Sequence, residues 1–281
     1  MSHHGHGDSH LLVRYAGDAL RARNEYEKRG GSNLKFLLKK RFSWMQHYLG
    51  PQTYAAEIGC GAGFSELFLR AGTLELTDAE PRPWAKRIVD ALDLPYADAS
   101  VDVLIANNVI HHLAYPDRFF RGAARVLRPG GHLLIQECNC SWTTRIALRV
   151  TGHEGYSFAE DPFDATRPCN DPNDPWSANC AIPNLLLDDL DRFRDHYPEF
   201  AVIDSGMSEF FVQFNSGGVT ATVPYIPLPW AAMRVVDVID RVLVAVAPGI
   251  FASQRRLVLQ RRGEATRQAD ERSGAARLRR A

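Results

Sequence analysis

Apolar and polar residues change period repeatedly along the middle of this chain. Between residues 54 and 136, short apolar runs alternate with stretches whose apolar positions recur at helical intervals, and glycine or proline separates them. This order predicts a parallel sheet whose strands are joined by helical crossovers. The predicted strands are 54–58, 73–77, 87–89, 101–106 and 132–136, and the predicted helices are 64–71 and 117–127.

The two ends of the chain have other patterns. Residues 15–50 carry apolar side chains at helical spacing, which predicts an N-terminal helical cap on the 51–140 core. Residues 1–14 form a His-rich leader and residues 263–281 an Arg-rich tail, both with little apolar content. Such ends are expected to be flexible.

The segment after the core is predicted to contain two insertions. Residues 141–184 are rich in Asp, Pro, Asn and aromatic residues, which predicts a loop-dominated lid over a substrate. The remainder of the core is expected at 185–262, interrupted by a second insertion at 206–253. Its predicted elements are a helix at 185–196 and strands at 200–203 and 256–260.

Composition narrows the class of protein further. The 281 residues include 33 Lys and Arg against 33 Asp and Glu, and 45% are hydrophobic. The hydrophobic content excludes global disorder, and the neutral balance argues against a dedicated nucleic-acid binder. Five cysteines without a compact framework, and a start unlike a signal peptide, indicate a reduced, cytoplasmic protein. Charged residues interrupt the apolar stretch 235–251, so we expect no integral membrane segment.

A glycine-rich turn follows the first predicted strand. Glu57 ends that strand, and three glycines then occupy alternate positions before a helix: Gly59, Gly61 and Gly63. Glycine adopts backbone conformations closed to other residues and lets a ligand approach the main chain. A dinucleotide-binding turn would need another glycine where Phe64 stands, which weakens a nicotinamide-dependent oxidoreductase as an interpretation.

Two more acids end the next predicted strands. A carboxylate at Asp78 can accept hydrogen bonds from both hydroxyls of a ribose. Asp90 can accept from an exocyclic amine while the backbone N–H of Ala91 donates to a ring nitrogen. With Glu57 at the same edge of the sheet, these acids predict a nucleoside site without a feature dedicated to phosphate.

These motifs, together with Asn108-Val-Ile-His-His-Leu113 and Arg125-Val-Leu-Arg-Pro-Gly-Gly131, resemble the class I S-adenosylmethionine-dependent methyltransferases in their small-molecule "type 11" form. The resemblance covers about residues 53–138. It implies a Rossmann-like α/β fold, a doubly wound, seven-stranded, mostly parallel sheet with a reversed last strand. It also implies S-adenosyl-L-methionine as the cofactor.

The resemblance also assigns roles to residues of the predicted cofactor site. Glu57 and Gly59 would hold the methionine end, Asp78 the ribose, Asp90 and Ala91 the adenine, and Asn107 would approach the methionine moiety. The full set of predicted contacts is Glu57, Gly59, Cys60, Gly61, Gly63, Phe64, Asp78, Ala79, Asp90, Ala91 and Asn107.

One departure from the family concerns the segment between Asp78 and Asp90. It has only eleven residues, among them Pro81 and Pro83, so it predicts a turn where the family usually has a helix. This puts Ala79 in doubt as a cofactor contact.

Methyl transfer from a sulfonium is an in-line displacement, so the enzyme must align the acceptor and exclude water. A hydroxyl acceptor also needs a base. The candidate catalytic residues are His111, His112, Glu137 and His153, with Glu154 beside the last. Three of these assignments have a specific structural alternative. They are His112 as a structural histidine, Glu137 as a cap or a ligand-orienting group, and the His153–Glu154 pair as support for the lid.

We expect the acceptor to be the hydroxyl of a small specialised metabolite or glycan-type molecule. C- or N-methylation by positioning alone, and a catalytically silent cofactor-binding module, are the alternatives. The cysteine spacing fits no standard zinc site, so no metal is expected. The apolar face of 230–246 predicts packing in the core or lid, with a membrane surface or lipid as the alternative. No nucleic-acid partner is expected, and the oligomeric state is open.

Overall fold

The computed structural model describes residues 18–29, 32–219 and 223–263. A seven-stranded sheet forms its centre, in the order β3-β2-β1-β4-β5-β7-β6. The strands are β1 Tyr54–Ile58, β2 Thr73–Asp78, β3 Arg87–Ile88, β4 Val101–Asn107, β5 Leu127–Cys138, β6 Phe200–Ser208 and β7 Gln254–Arg261. Only β7 runs against its neighbours β5 and β6. The predicted doubly wound, mostly parallel sheet with a reversed last strand is confirmed.

Helices cover both faces of the sheet. They are α1 Ala19–Arg29, α2 Ser32–Met45, α3 Ser65–Phe68, α4 Pro116–Val126, α5 Trp142–Thr151, α6 Ile182–Leu187, α7 Leu190–His196, α8 Phe211–Phe214, α9 Trp230–Val246 and α10 Pro248–Phe251. Within the described residues, no helix has the length and apolar character needed to cross a bilayer. The predicted flexible leader, and all but the first residue of the predicted tail, lie outside the described residues.

Two apolar layers fix the helices onto the sheet. Successive residues of a strand point to opposite faces, so Leu104 of β4 packs with α4, α6 and α7, while Ile105 packs with α1, α2 and α3. Both side chains are fully buried. This burial on two faces explains the nearly continuous apolar runs of the central strands.

Three local predictions differ from the structure. The helix predicted at 64–71 is only the four-residue α3, because the backbone turns extended at Leu69, whose side chain is buried. The helix predicted at 185–196 is two helices, because the side chain of Asp189 caps a new start at α7. The predicted loop at 141–184 contains α5, whose N-cap Ser141 accepts a hydrogen bond from the backbone of Thr144.

Candidate functional site

The glycine turn joins β1 to α3 at the carboxyl edge of the sheet. Gly59 has a φ of +68°, and a Cβ there would lie 2.6 Å from a methyl of Val109. Gly63 has a φ of +64°, and its Cβ would lie 2.3 Å from the indole of Trp84. Both positions therefore require glycine for conformation and for space. At Gly61 a Cβ would meet nothing within 4 Å, so this part of the turn faces open space.

The segment after β2 forms one wall of the turn. No helix separates Asp78 from Asp90, as predicted, and only the short β3 interrupts the irregular chain. The indole Nε1 of Trp84 donates to the carbonyl of Gly61 at 2.8 Å. Our sequence prediction missed this tryptophan, although the flanking prolines predicted a turn in this segment instead of a helix.

Three carboxylates lie at or just after the ends of β1, β2 and β3, each in a different environment. Burial raises the pKa of Glu57 to about 8, against the opposing effect of a hydrogen bond from the Ser65 hydroxyl. Asp78 accepts from the backbone N–H of Gly61 at 2.8 Å. Asp90 is exposed and accepts from the N–H of Leu92 at 2.8 Å.

These groups fit S-adenosyl-L-methionine by the chemistry of their donors and acceptors. A desolvated carboxylate such as Glu57 matches the ammonium group of the methionine end, and Asp78 and Asp90 have lone pairs for hydroxyl and amine donors. Asp78 also lies 3.4 Å from the guanidinium of Arg82, an ion pair that a ribose would have to share. The open space at Gly61 leaves room beside the main chain.

The remaining predicted cofactor contacts differ in exposure. The ring of Phe64 is buried against Tyr26, with the ring centroids 5.1 Å apart, so only its backbone belongs to the turn. Asn107 is half-buried, and its side-chain oxygen accepts from Asn108 at 2.9 Å. Among the other contacts, Cys60 and Ala91 are buried and Ala79 is exposed.

A histidine–glutamate pair lies at the same edge of the sheet. His111 belongs to a short 3-10 turn after β4, and its Nδ1 lies 2.7 Å from Oε2 of Glu137 near the end of β5. Glu137 also accepts from the backbone N–H groups of Val109 and Ile110, at 2.6 and 2.5 Å. Both side chains are buried. The carboxylate therefore fixes the position of the turn and the orientation of the imidazole ring.

Loop residues complete the surroundings of His111. Its Nε2 lies 3.7 Å from Oε2 of Glu154, and the thiol of Cys180 donates to that oxygen at 3.0 Å. Burial alone would lower the pKa of His111, but the charges on Cys138 and Glu137 raise it well above the ordinary value. Burial alone would raise the pKa of Glu154, but the hydrogen bond and charge of His111 hold it well below its usual range.

The other two candidate histidines have different contacts. His112 pairs through Nδ1 with the carbonyl of Ser177 at 3.1 Å, and burial, together with the charge of His111, lowers its pKa to about 4. It is therefore neutral near pH 7. His153 is half-buried, with Nε2 3.7 Å from Oε1 of Glu154. The structure thus brings all four candidate catalytic residues into one cluster, which also contains Glu154.

The cluster also meets the spacing for a metal ion. Ligand atoms lie within 4.8 Å of one another in two sets, His111 with Cys138 and Cys180, and His111 with His112 and Glu154. The hydrogen bonds between these side chains give the same proximity without an ion. The expectation of no metal stays a prediction. The sequence suggested Cys180 only as a partner of Cys138 in a metal set of non-standard spacing, and it did not place the thiol beside Glu154.

Residues 56–135 match the family described as "Methyltransferase domain". The chain contains a methyltransferase domain. The matched segment includes the glycine turn, Asp78, Asp90 and His111.

Curated relatives match the methyltransferase domain over short segments. The 27-O-demethylrifamycin SV methyltransferase of Amycolatopsis mediterranei (strain S699) is 56% identical over 48 residues, 16% of this chain and 17% of that protein. Methyltransferase GfsG of Streptomyces halstedii is 46% identical over 50 residues, 18% of each chain. A probable tRNA methyltransferase 9B of Mus musculus is 34% identical over 96 residues, 30% of this chain and 22% of that protein. The chain thus matches less than a quarter of the length of these relatives.

The fold of the methyltransferase domain also occurs among solved structures. A SAM-dependent methyltransferase from Archaeoglobus fulgidus aligns over 85% of this chain and 98% of that one, with 16% identity and a TM-score of 0.51. At this identity the likeness concerns the fold.

Proposed function

We propose that this protein transfers a methyl group from S-adenosyl-L-methionine to a hydroxyl of a small specialised metabolite. The cofactor supplies an electrophilic methyl group on a sulfonium. The glycine turn and its three carboxylates would hold it, and the 141–253 region would enclose the acceptor. The match of residues 56–135 to the methyltransferase family supports the reaction class.

The buried pair of His111 and Glu137 carries the assignment of O-methylation. Glu137 accepts from His111 at Nδ1, which leaves Nε2 as the nitrogen that can take a proton. A hydroxyl nucleophile loses its proton as the new bond forms, and a positioned histidine accepts it. Glu137 stabilises the resulting imidazolium through its charge, as the carboxylate does in a Ser-His-Asp triad.

We assign Glu154 a supporting role at the other side of the ring. Its carboxylate oxygen lies 3.7 Å from Nε2 of His111, close enough for its negative charge to stabilise the imidazolium. The thiol of Cys180 holds the same carboxylate oxygen at 3.0 Å. Nδ1 of His112 donates to the backbone carbonyl of Ser177, and the pKa of His112, lowered to about 4, makes it a weaker base than His111. We propose that it positions the loop.

The acceptor class is supported by the name of one relative. It is the 27-O-demethylrifamycin SV methyltransferase of Amycolatopsis mediterranei, whose name specifies an oxygen of a small molecule. Aromatic side chains from the region after β5, such as Trp176 and Phe210, are suited to an apolar or planar acceptor.

The test separates cofactor binding from proton transfer. Binding of S-adenosylhomocysteine and of NADH is first compared by thermal shift, and stabilisation by NADH alone would reject the proposal. A panel of hydroxylated macrolide, aromatic and glycosidic acceptors is then screened for methyl transfer by mass spectrometry. With an accepted substrate, His111→Ala should lower the rate by more than about a hundredfold, within the span of acid–base catalysis.

The matched control is His132→Ala, which removes a half-buried histidine from the middle of β5, five residues before Glu137. It should leave the rate and the affinity for S-adenosylhomocysteine unchanged. An unchanged rate in His111→Ala would favour positioning alone, as in C- or N-methylation. Binding of the nucleoside with no transfer to any acceptor would favour a silent regulatory module. Metal content, measured on the same samples, tests the expectation that the cluster holds no ion.

A further inference from the structure

Helix α9 is oriented with its acids toward the protein and an apolar stripe toward solvent. Asp240 is fully buried and accepts from the backbone N–H groups of Phe210, Phe211 and Val212 at 2.9 to 3.0 Å. Asp237 is buried as well and pairs with Lys40 of α2. These anchors fix the rotation of the helix.

The opposite side of α9 presents five exposed aliphatic side chains. They recur at helical spacing along the whole helix: Val235, Val238, Ile239, Val242 and Val246. The sequence pattern predicted packing of this face in the core or lid. That prediction is wrong for Val235, Ile239, Val242 and Val246, because the anchored acids turn them outward, and only Met233 and Val244 of the helix's apolar side chains are buried.

Two neighbouring helices continue the same kind of surface. Helix α10 begins directly after α9, and the hydroxyl of Thr143 in α5 donates to its Ile250 carbonyl at 2.6 Å. Ile250 is exposed, and α5 exposes Trp142, Ile146 and Val150 at one-turn spacing, the tryptophan by 65%. Exposed apolar side chains on adjoining helices mark an interaction site. We call the exposed apolar residues of α5, α9 and α10 the apolar face.

The exposed charges of these three helices have one sign. Arg149 of α5 and Arg234 and Arg241 of α9 are exposed, Arg241 in an ion pair with Asp237, whereas both acids of α9 are buried, and neither α5 nor α10 contains an acid. Over the whole chain, basic and acidic residues are equal in number. The exclusively basic exposed charge is therefore a local property of these three helices.

We propose that the apolar face docks this protein on the surface of an anionic lipid bilayer. Helices that lie in the membrane interface combine an apolar side, often with tryptophan, and basic residues that meet anionic headgroups. The apolar face has both features, and the five exposed aliphatic residues of α9 lie along one side of the helix, as expected for a helix lying in the membrane plane. The proposal does not depend on methyl transfer.

Vesicle flotation tests the docking with the purified full chain. We expect binding to vesicles of phosphatidylcholine with 30% phosphatidylglycerol at low salt, and about tenfold weaker binding to phosphatidylcholine alone or at high salt. The double variant Val238→Asp/Val242→Asp should lower binding at least about tenfold, and Arg234→Gln should lower it on anionic vesicles only. Thermal melting checks that both variants fold.

The matched control is Ile88→Asp on β3, which places one such charge on an exposed aliphatic residue at the far edge of the sheet, and it is compared with the single variant Val242→Asp. Ile88→Asp should bind as the wild type does. No flotation with anionic vesicles at low salt, equal binding to neutral vesicles, or equal loss in Ile88→Asp would overturn the proposal. A concentration-dependent dimer in light scattering that Val238→Asp/Val242→Asp abolishes, without vesicle binding, would overturn it in favour of a second copy.

Discussion

Replacement of Glu57 by glutamine should stabilise the protein without cofactor and weaken its binding of the cofactor. Burial raises the pKa of this carboxyl from 4.5 to about 8. Between these values the native state holds a proton that the unfolded chain releases, so the free energy of unfolding falls as the pH rises through this window. Glutamine keeps an oxygen that can accept from Ser65 and has no proton to lose.

The size of the effect follows from the width of the pH window. Each pH unit between the two values changes the free energy of unfolding by about 1.4 kcal/mol, so Glu57→Gln should be more stable by about 3 kcal/mol at pH 7. Near pH 4.5 the two proteins should be equally stable. Urea unfolding from pH 4.5 to 9 measures the difference, with the exposed Asp93→Asn as the control variant.

Glu57→Gln should also affect the binding of two nucleosides differently, because only one of them, S-adenosylhomocysteine, carries an amino-acid end. An ammonium group beside Glu57 favours the ionised carboxylate, so S-adenosylhomocysteine should release close to one proton on binding at pH 7. Calorimetry in buffers of different ionisation enthalpy measures that release. Glu57→Gln should lose the release and bind S-adenosylhomocysteine about tenfold or more weakly, as expected for a lost charged hydrogen bond. Binding of 5′-methylthioadenosine, which lacks the amino-acid end, should be unchanged. Equal weakening of both ligands, or parallel pH profiles of stability, would refute the reasoning.

Three further results are expected. Glu137→Gln should lower the pKa of His111 and shift the proton of its neutral ring from Nδ1 to Nε2. The glutamine oxygen would still accept from the backbone N–H groups, so its NH₂ group would face Nδ1. ¹⁵N NMR of the imidazole measures the pKa and the tautomer, and an unchanged pKa would contradict the proposed pair. With an accepted substrate, the rate of the wild-type enzyme should rise with pH through a midpoint above 6.5. His111 must lose its proton before it can act as the general base, and its pKa is raised. A rate that does not change with pH would argue against a general base. Gly63→Ala should lower the free energy of unfolding by more than about 2 kcal/mol, since its Cβ would clash with Trp84 at a positive φ. Gly61→Ala, whose Cβ would meet nothing within 4 Å, should lower the free energy of unfolding by less. Equal losses in the two variants would exclude the steric cause.

The central sheet and the glycine turn could be predicted because their signals are local. Strands buried on both faces leave apolar runs, and a turn with positive φ leaves glycines at fixed positions, as at Gly59 and Gly63. The proximity of His111 and Glu137 also follows from topology, since both lie at the carboxyl edge of the adjacent strands β4 and β5. Cys180 and Glu154 could not be placed in this way, because they reach the site from a long irregular segment whose path depends on hydrogen bonds such as that from the backbone N–H of Asn179 to the carbonyl of His111.

The orientation of α9 shows a different limit of sequence patterns. Its apolar residues occupy more than one side of the helix, so hydrophobicity alone does not select the side that packs. The selection comes from Asp240, since three backbone N–H groups in another segment are satisfied by this one carboxylate. Rotating the helix to bury its exposed aliphatic side chains would remove this acceptor, at a cost of about 1–3 kcal/mol for each N–H group left buried, and would also break the ion pair between Asp237 and Lys40. A buried acid within an apolar helical pattern therefore indicates which side faces inward, and the apolar residues on the other side become available for binding.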